Sequence, residues 1–234
     1  MTKEMSRGAE RARYVNGLFA QIAEHYDLMN RLMTGGQDLR WRRFAIQKLA
    51  VQPGERVLDL GCGTGDLARE VLRVTPSAQV AAADFTWQMM AVGKVQKGAL
   101  PFVTADALQT PFPGECFDGV VSGYLMRNVG DLEGAIREQL RVLKPGGRVV
   151  ILETTQPGRN LLSPFIWLHM HVVIPLLGGL ISGVREAYQY LPNSTEKFLT
   201  AEELTERLRA AGWVDVGFRR FMFGTMACHW ARKP

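Results

Sequence analysis

The fold of this chain is decided by one short segment, residues 57–66, which reads VLDLGCGTGD. Three of its first four residues, Val57, Leu58 and Leu60, are apolar, as expected for a parallel strand that is buried on both faces. Three glycines follow within five residues, and glycine is needed where the backbone takes a positive φ or lies close to a ligand. The segment therefore predicts a strand, a tight turn and a helix, with a nucleotide-type ligand at the carboxyl end of the strand.

The spacing of these glycines separates two kinds of cofactor loop. A dinucleotide loop reads G-x-G-x-x-G/A, but the position three residues after Gly63 holds Asp66 instead of a small residue. G-x-G-x-G after an acidic strand end is similar to the cofactor loop of the S-adenosylmethionine-dependent methyltransferases. We therefore expect this segment to bind S-adenosylmethionine through Asp59, Gly61, Gly63, Thr64 and Gly65.

Beyond this segment, short apolar stretches alternate with helical patterns. We predict strands at 56–60, 78–83, 102–104, 117–122 and 148–152, with helices at 66–74, 86–97 and 131–143 between them. A capping box at 200–203 begins a last helix that ends at Gly212, and residues 213–220 and 225–231 alternate as an antiparallel pair. The pattern predicts an α/β fold with a doubly wound, Rossmann-like, mostly parallel seven-stranded sheet, a C-terminal antiparallel strand, an N-terminal helical cap and an apolar helical insertion.

The composition, with 47% hydrophobic and 22% charged residues, fits one globular domain. Helical spacing of apolar residues predicts one amphipathic helix over 15–33 and a second over 39–50. The polar N-terminus has no apolar run of signal-peptide type, and three cysteines without C-x-x-C spacing favour a reducing cytoplasm. We divide the single domain 1–234 into a helical cap, a cofactor-binding core, an apolar insertion and a C-terminal helix with its strand pair, at 1–50, 51–155, 156–196 and 197–234.

The insertion contains residues 160–184, which include no Asp, Glu, Lys or Arg. This stretch is long enough to cross a membrane, but Pro164, Pro175 and the pair Gly178-Gly179 interrupt it. Three interpretations remain open: a buried group of broken helices, a lid that holds a lipid-like substrate or touches a bilayer, and a membrane span.

Two further carboxylates follow the next two strands. Asp84 closes the second strand, where it can accept hydrogen bonds from both ribose hydroxyls, and Asp106 closes the third, where it can accept one from an adenine amino group. Ligands of open α/β sheets lie beyond the carboxyl ends of the strands. We therefore expect both carboxylates to converge on the glycine loop.

The chain from Phe19 to His229 resembles the ubiquinone/menaquinone biosynthesis C-methyltransferases. The most specific shared motifs are Tyr-Asp-Leu-Met-Asn at 26–30 and Arg-Asn-Val at 127–129. The resemblance implies S-adenosylmethionine-dependent methylation of a carbon of a prenylated quinol, demethylmenaquinol or a ubiquinol precursor. It also implies cofactor contacts at Thr64, Asp84, Phe85, Asp106, Ala107, Ser122 and Gly123.

Three positions depart from the family pattern. His25 stands where the family usually has Arg or Lys, and Thr154 stands where it has Phe. Residues 123–125 read Gly-Tyr-Leu where the family often has Ser-Phe-Gly. The last departure falls on a segment that contacts the cofactor, so Gly123 can offer only its backbone there.

Carbon methylation of a hydroquinone needs an ionised phenol, because loss of the phenolic proton makes the ring carbon nucleophilic. A general base or an oxyanion stabiliser is then required. An arginine keeps its proton in a protein, so we expect Arg127 to stabilise the phenolate or to position a water, and Asn128 to orient the ring. Tyr26 and His25 are candidate proton acceptors or walls of the pocket.

The formal net charge is +5, with basic residues in excess at both ends of the chain. No basic run interleaved with aromatics stands out beyond residues 40–43, so we expect no nucleic-acid partner. His169-x-His171 lacks an acidic or cysteine partner nearby, so we expect no metal. A peripheral contact with the inner face of the membrane and a homodimer remain open. The alternative functions are O- or N-methylation of another apolar molecule and a nonenzymatic, membrane-associated assembly role.

Overall fold

The computed structural model describes residues 8–158 and 161–234, and at its centre lies a seven-stranded sheet in the order β3-β2-β1-β4-β5-β7-β6. The strands are β1 Arg56–Leu60, β2 Gln79–Asp84, β3 Phe102–Thr104, β4 Phe117–Gly123, β5 Leu143–Thr154, β6 Val214–Phe221 and β7 Met226–Arg232. Strands β1 to β5 pair in parallel, and β7 is antiparallel to both β5 and β6. This topology confirms the predicted doubly wound sheet with an antiparallel C-terminal end.

Helices surround this sheet. They are α1 Ala9–Ile22, α2 Tyr26–Thr34, α3 Asp38–Leu49, α4 Asp66–Val74, α5 Trp87–Lys97, α6 Leu132–Val142, α7 Ser163–Leu168, α8 Ile174–Ser182, α9 Arg185–Glu196 and α10 Ala201–Ala210. Residues 1–7, which begin the N-terminus predicted to carry no signal peptide, lie outside the described residues. So do residues 159–160, which include the first residue of the apolar stretch 160–184.

The central strands are apolar on both faces because helices cover both. Leu58 and Val120 belong to one fully buried cluster, and their neighbours Val57 and Val121 belong to another. Successive side chains of a strand point to opposite faces of the sheet. The near-continuous apolar sequence of β1 and β4 therefore follows from burial on both sides.

The prediction of one helix over 15–33 is wrong, because the chain breaks between α1 and α2. At the break, the amide of His25 donates to the carbonyl of Ile22 at 3.0 Å. The apolar periodicity continues across the break, since Ile22 from α1 and Met29 from α2 pack in the same buried cluster around Tyr188. The period alone could not reveal the turn, which redirects α2 toward the glycine loop.

The interpretation of the apolar stretch as a buried insertion is also wrong. Helix α7 continues through a wider π turn, His169–Val173, into α8. Among the described residues, Ser163–Ser182 is the stretch long and apolar enough to cross a membrane, and only 11% of its most apolar window is buried. Helix α8 is attached to the fold through Gly178, where an added Cβ would lie 2.1 Å from Tyr188 Cγ.

Helix α5 packs unusually closely on the glycine turn after β1. A Cβ on Gly93 would lie 2.2 Å from the carbonyl oxygen of Thr64, a distance that no side chain can occupy. The short distance between the glycine turn and α5 therefore requires a glycine at position 93.

We predict that Gly93→Ala displaces the turn and destabilises the fold by about 1–3 kcal/mol, the usual cost of overpacking. It should also weaken binding of S-adenosylmethionine. Gly17→Ala is the matched control, because this position in α1 has open space around it and alanine should stabilise a helix there by about 0.5–1 kcal/mol. Thermal melting and calorimetric titration measure both effects. Equal melting temperatures for Gly93→Ala and the parent would contradict the close packing.

Candidate active site

The glycine turn after β1 has the backbone that its sequence requires. Gly61, Gly63 and Gly65 have φ values of 72°, 56° and 88°, which residues other than glycine rarely adopt. A Cβ on Gly61 would also lie 2.9 Å from Leu125 Cδ1. The lack of side chains here leaves a cradle beyond the carboxyl end of β1.

Asp84 connects this cradle to β2. Its carboxylate accepts hydrogen bonds from the amide of Gly63 at 2.7 Å and from the amide of Thr86 at 2.7 Å. Burial raises the pKa of Asp84, and the amide donors oppose that shift. One carboxylate therefore both shapes the turn and faces the space beyond it.

A cavity of about 300 Å³, here called the first cavity, lies beyond the ends of β1, β2 and β4. The Asp106 side chain is held there because its Oδ1 accepts a hydrogen bond from the amide of Leu108 at 2.9 Å. Two carboxylates beside a glycine-rich turn fit the ribose and adenine of S-adenosylmethionine. Most of the predicted cofactor residues line this cavity: Gly61, Gly63, Asp84, Phe85, Asp106, Ala107 and Gly123.

The other predicted cofactor residues support the cradle from behind and do not line the first cavity. Asp59 is fully buried and accepts a hydrogen bond from the amide of Ala68 at 2.9 Å, and burial raises the pKa of Asp59 to about 7. Gly65 precedes α4, and Thr64 is buried. Ser122 is buried in β4, and its hydroxyl has no hydrogen-bond partner among the described residues.

Lys97, at the end of α5, joins three parts of the chain behind the glycine turn. Its Nζ lies 2.6 Å from Asp27 Oδ2 in α2, pairs with Asp66 at the start of α4, and donates to the Thr64 hydroxyl at 3.2 Å. Burial opposes the ionisation of Asp66, but Arg42 and Lys97 outweigh it and lower the pKa of that carboxyl. Sequence reasoning missed Lys97, because no motif marks a lysine whose partners are distant in the chain.

A second cavity of about 310 Å³ lies between α2, α7, α9 and the turn after β6. Its lining is mainly apolar, with Trp41 and Ile166 among the larger side chains. Tyr26 and Tyr124 line both this second cavity and the first cavity. The two cavities therefore adjoin each other at these two tyrosines.

Arg127 lines the second cavity and forms a buried ion pair with Glu153 of β5. Burial opposes the charge on Arg127, but Glu153 outweighs it and holds the pKa of the guanidinium above its ordinary value. Arg127 Nε has no hydrogen-bond partner among the described residues. The ion pair thus fixes a positive charge at the wall of an apolar cavity.

The two shared tyrosines are partly buried residues that pack against core clusters. Burial raises the pKa of Tyr26 and of Tyr124. Tyr124 also has a left-handed φ of 59°, and the guanidinium of Arg127 lies 5.4 Å from the centre of its ring. Sequence reasoning did not assign Tyr124 to the site, although its place in the departing segment 123–125 was a signal that could have found it.

The two remaining catalytic candidates differ in position. Asn128 lines the first cavity, where its amide donates to the carbonyl of Tyr124 at 2.7 Å and its Oδ1 accepts from the Tyr190 hydroxyl at 2.9 Å. His25 lies in the turn between α1 and α2 and lines neither cavity. The structure therefore brings Tyr26, Arg127 and Asn128 together and leaves His25 apart.

The histidines of the insertion have separate partners. His169 Nε2 lies 3.0 Å from the carbonyl oxygen of Met33, and His171 Nε2 lies 2.7 Å from Glu196 Oε1. Over 8–158 and 161–234, no three His, Cys, Asp or Glu side chains are grouped as a metal site would need.

Comparison with solved structures finds the same fold in distant proteins. The [4+2]-cyclase SpnF aligns with a TM-score of 0.68 at 19% identity, over 95% of this chain and 96% of SpnF. The Haemonchus contortus phosphoethanolamine N-methyltransferase 2 in complex with S-adenosyl-L-methionine aligns with a TM-score of 0.57 at 18% identity, over 80% of this chain and 52% of that one. At these identities the likeness concerns the fold alone.

Comparison of sequences finds nearer relatives. The ubiquinone/menaquinone biosynthesis C-methyltransferase UbiE of Desulfotalea psychrophila is 44% identical, over 94% of this chain and 90% of its own. The demethylmenaquinone methyltransferase of Thermus thermophilus is 42% identical, over 93% of this chain and 100% of its own. Residues 6–233 match the ubiE/COQ5 methyltransferase family. The chain belongs to this family and is an S-adenosylmethionine-dependent methyltransferase.

Proposed function

We propose that this enzyme methylates a ring carbon of a prenylated quinol, with demethylmenaquinol as the first candidate and a ubiquinol precursor as the second. The observation that carries the proposal is the meeting of the two cavities at Tyr26 and Tyr124. One cavity offers the carboxylates and the cradle for the methyl donor, and the other offers an apolar chamber with Arg127 at its wall. The names of the relatives support the same substrate class.

The acceptor ring would lie in the second cavity with one oxygen beside Arg127. S-adenosylmethionine supplies an electrophilic methyl group when it is bound, so the protein has to align the acceptor and exclude water. The acceptor gives its phenolic proton to solvent water as it binds, and a positive charge fixed beside the phenol oxygen favours this ionised form, in which the ring carbon is nucleophilic. Once that carbon is methylated, the hydrogen it carried is lost as a proton and the oxygen is protonated again, so one proton is released for each methyl group transferred. The pairing with Glu153 keeps Arg127 in place, so little reorganisation accompanies the reaction.

The two shared tyrosines act as walls in this proposal. Because burial raises their pKa from a value that is already about 10, neither is ionised at neutral pH and neither can accept the proton. Of the two roles that the sequence left open for Tyr26, we therefore assign it that of a wall. Both tyrosines line the boundary between the two cavities, and His25 takes no part in the reaction.

A lipid-tailed acceptor has to be taken from a membrane, and the Ser163–Ser182 stretch supports a peripheral contact there. Leu176 and Leu180 are exposed, and Trp167, also exposed, stacks on His171 with ring centres 5.0 Å apart. Exposed leucines beside an interfacial tryptophan suit the boundary between headgroups and acyl chains. We place the enzyme in the cytoplasm at the inner face of the membrane, with this surface toward the lipid.

We predict that Asp84→Ala weakens binding of S-adenosylmethionine by about 10- to 100-fold, the scale of a lost hydrogen bond to a charged group. The control is Asp118→Ala. The Asp118 carboxylate also accepts a hydrogen bond from a backbone amide, that of Arg56 at 2.8 Å, but it lies at the opposite end of the sheet. Calorimetric titration measures both affinities. Unchanged affinity in Asp84→Ala, or an equal loss in Asp118→Ala, would rule out the contact.

We predict that Arg127→Gln combined with Glu153→Gln lowers kcat on demethylmenaquinol by roughly 10²–10³-fold, the range for one oxyanion donor, and leaves cofactor affinity unchanged. The double variant is needed because removing Arg127 alone leaves Glu153 buried without its partner, which costs about 3–5 kcal/mol. Arg148→Gln with Glu55→Gln removes an ion pair far from both cavities and is the control.

Mass spectrometry of the quinol after reaction gives the rates for this pair of variants. Near-normal turnover in the Arg127 and Glu153 double variant would contradict the role of the ion pair. If the parent methylated neither demethylmenaquinol nor the ubiquinol precursor, the proposed substrate class would be wrong.

We predict that Leu176→Glu with Leu180→Glu weakens binding to vesicles that contain anionic lipid by about tenfold or more, because two apolar side chains are lost from the lipid-facing surface. Turnover of a short-tailed, water-dispersed quinol should not change. Val95→Glu, an exposed apolar position on α5, is the control. Undiminished vesicle binding would contradict the membrane contact, and a parent dimer that dissociates in the variant would assign this surface to a homodimer instead.

A further inference from the structure

The turn between β6 and β7 contains strained backbone. Met222 and Phe223 have φ values of 46° and 56°, and Gly224 follows with 90°. A positive φ is uncommon for a residue other than glycine, and for a bulky side chain it is an outlier. Strain of this kind persists only where the surroundings impose it, and it concentrates at functional sites.

Hydrogen bonds and packing hold the turn in this conformation. The amide and the hydroxyl of Thr225 both donate to the carbonyl of Met222, at 3.1 and 2.9 Å, and the amide of Thr155 donates to the carbonyl of Thr225 at 2.9 Å. The Met222 side chain packs against a buried core cluster. With Met222 anchored inward, the left-handed backbone at Phe223 projects its ring outward.

The Phe223 ring lies where the second cavity opens to solvent. Phe223 lines that cavity and is nevertheless 66% exposed. Among the described residues that line the second cavity, Leu162 and Phe165 share this combination of lining and exposure. We define these three side chains as the mouth of the second cavity. Leu162 directly precedes α7, Phe165 lies in its first turn, and Phe223 stands alone on the strained turn.

The size of the second cavity requires part of a long acceptor to pass through this mouth. A volume of about 310 Å³ is at the lower end of the range for small-molecule pockets, about 300–1,000 Å³. An aromatic ring system and the first part of a tail fill such a space. The rest of a long polyprenyl tail therefore has to leave between α7 and the turn that carries Phe223.

We infer that Phe223 contacts the departing tail at the mouth of the second cavity and sets the preference of the enzyme for long-tailed acceptors. This inference rests on the proposed function, since it takes the acceptor to be a quinol with an apolar tail. The strained backbone lowers the stability of the fold, but it holds the Phe223 ring where the acceptor's tail leaves the cavity. Its strain and its exposed apolar side chain have the same explanation.

Phe223→Gly tests the effect of this residue on stability and on tail preference separately, because glycine relieves the backbone strain and also removes the ring. We expect the melting temperature to rise by roughly 2–4 °C. We expect the ratio of kcat/KM for long-tailed to tail-less demethylmenaquinol to fall about tenfold, as for the loss of one buried aromatic contact. Phe223→Tyr keeps the ring and should keep the ratio. A residue with only a structural role would not show stability and tail preference moving in opposite directions.

Asp215→Gly is the matched control, because Asp215 is an exposed residue of β6 with a φ of 53° that lines neither cavity. It should raise the melting temperature without changing the tail preference. An unchanged ratio in Phe223→Gly, or a parent that uses both acceptors equally well, would overturn the inference.

Binding of a long-chain prenyl alcohol to the enzyme with S-adenosylhomocysteine provides a readout that does not depend on turnover. Phe223→Gly should weaken this binding about tenfold, and equal binding would overturn the inference. If the parent binds the alcohol through Phe223 but methylates neither quinol, the proposed function fails and the tail contact stands.

Discussion

One half-buried ammonium group, Nζ of Lys97, fixes the relative positions of the parts that make the site. It joins α5 to Asp27 of α2, to Asp66 at the start of α4 and to Thr64 in the glycine turn. Because Tyr26 directly precedes Asp27, this cluster also determines where the Tyr26 ring stands. The helical cap thus becomes part of the catalytic chamber.

Tyr26 and Tyr124 line both cavities and so form their common boundary, where a donor and an acceptor would face each other in the proposed reaction. The electrostatics differ on the two sides. Two carboxylates, Asp84 and Asp106, line the first cavity, whereas the second has a mainly apolar lining and one arginine that is held in place by Glu153. In the proposed reaction, the fold separates recognition of the cofactor in the first cavity from activation of the ring in the second.

The glycine turn and the strand ends could be predicted because their requirements are local: Gly61 needs a positive φ, and Asp84 closes a strand whose end is set by the sheet. Lys97 could not, because its role arises from contacts between segments far apart in sequence. Tyr124 was missed for a different reason, since its segment 123–125 departs from the family pattern and was interpreted only through Gly123. The break before α2 was hidden because both helices bury their apolar faces in one cluster. The exposure of Ser163–Ser182 was equally hidden, since apolar composition is the same in a core and on a lipid-facing surface.

A crystal structure of the enzyme with S-adenosylhomocysteine and a short-tailed demethylmenaquinol tests the central claim most directly. The account predicts the thioether sulfur in the first cavity, directed at the boundary formed by Tyr26 and Tyr124. It predicts the quinol ring in the second cavity, with one oxygen within hydrogen-bond distance of Arg127 and the reacting carbon toward the sulfur. A quinol bound elsewhere, or with both oxygens remote from Arg127, would contradict it.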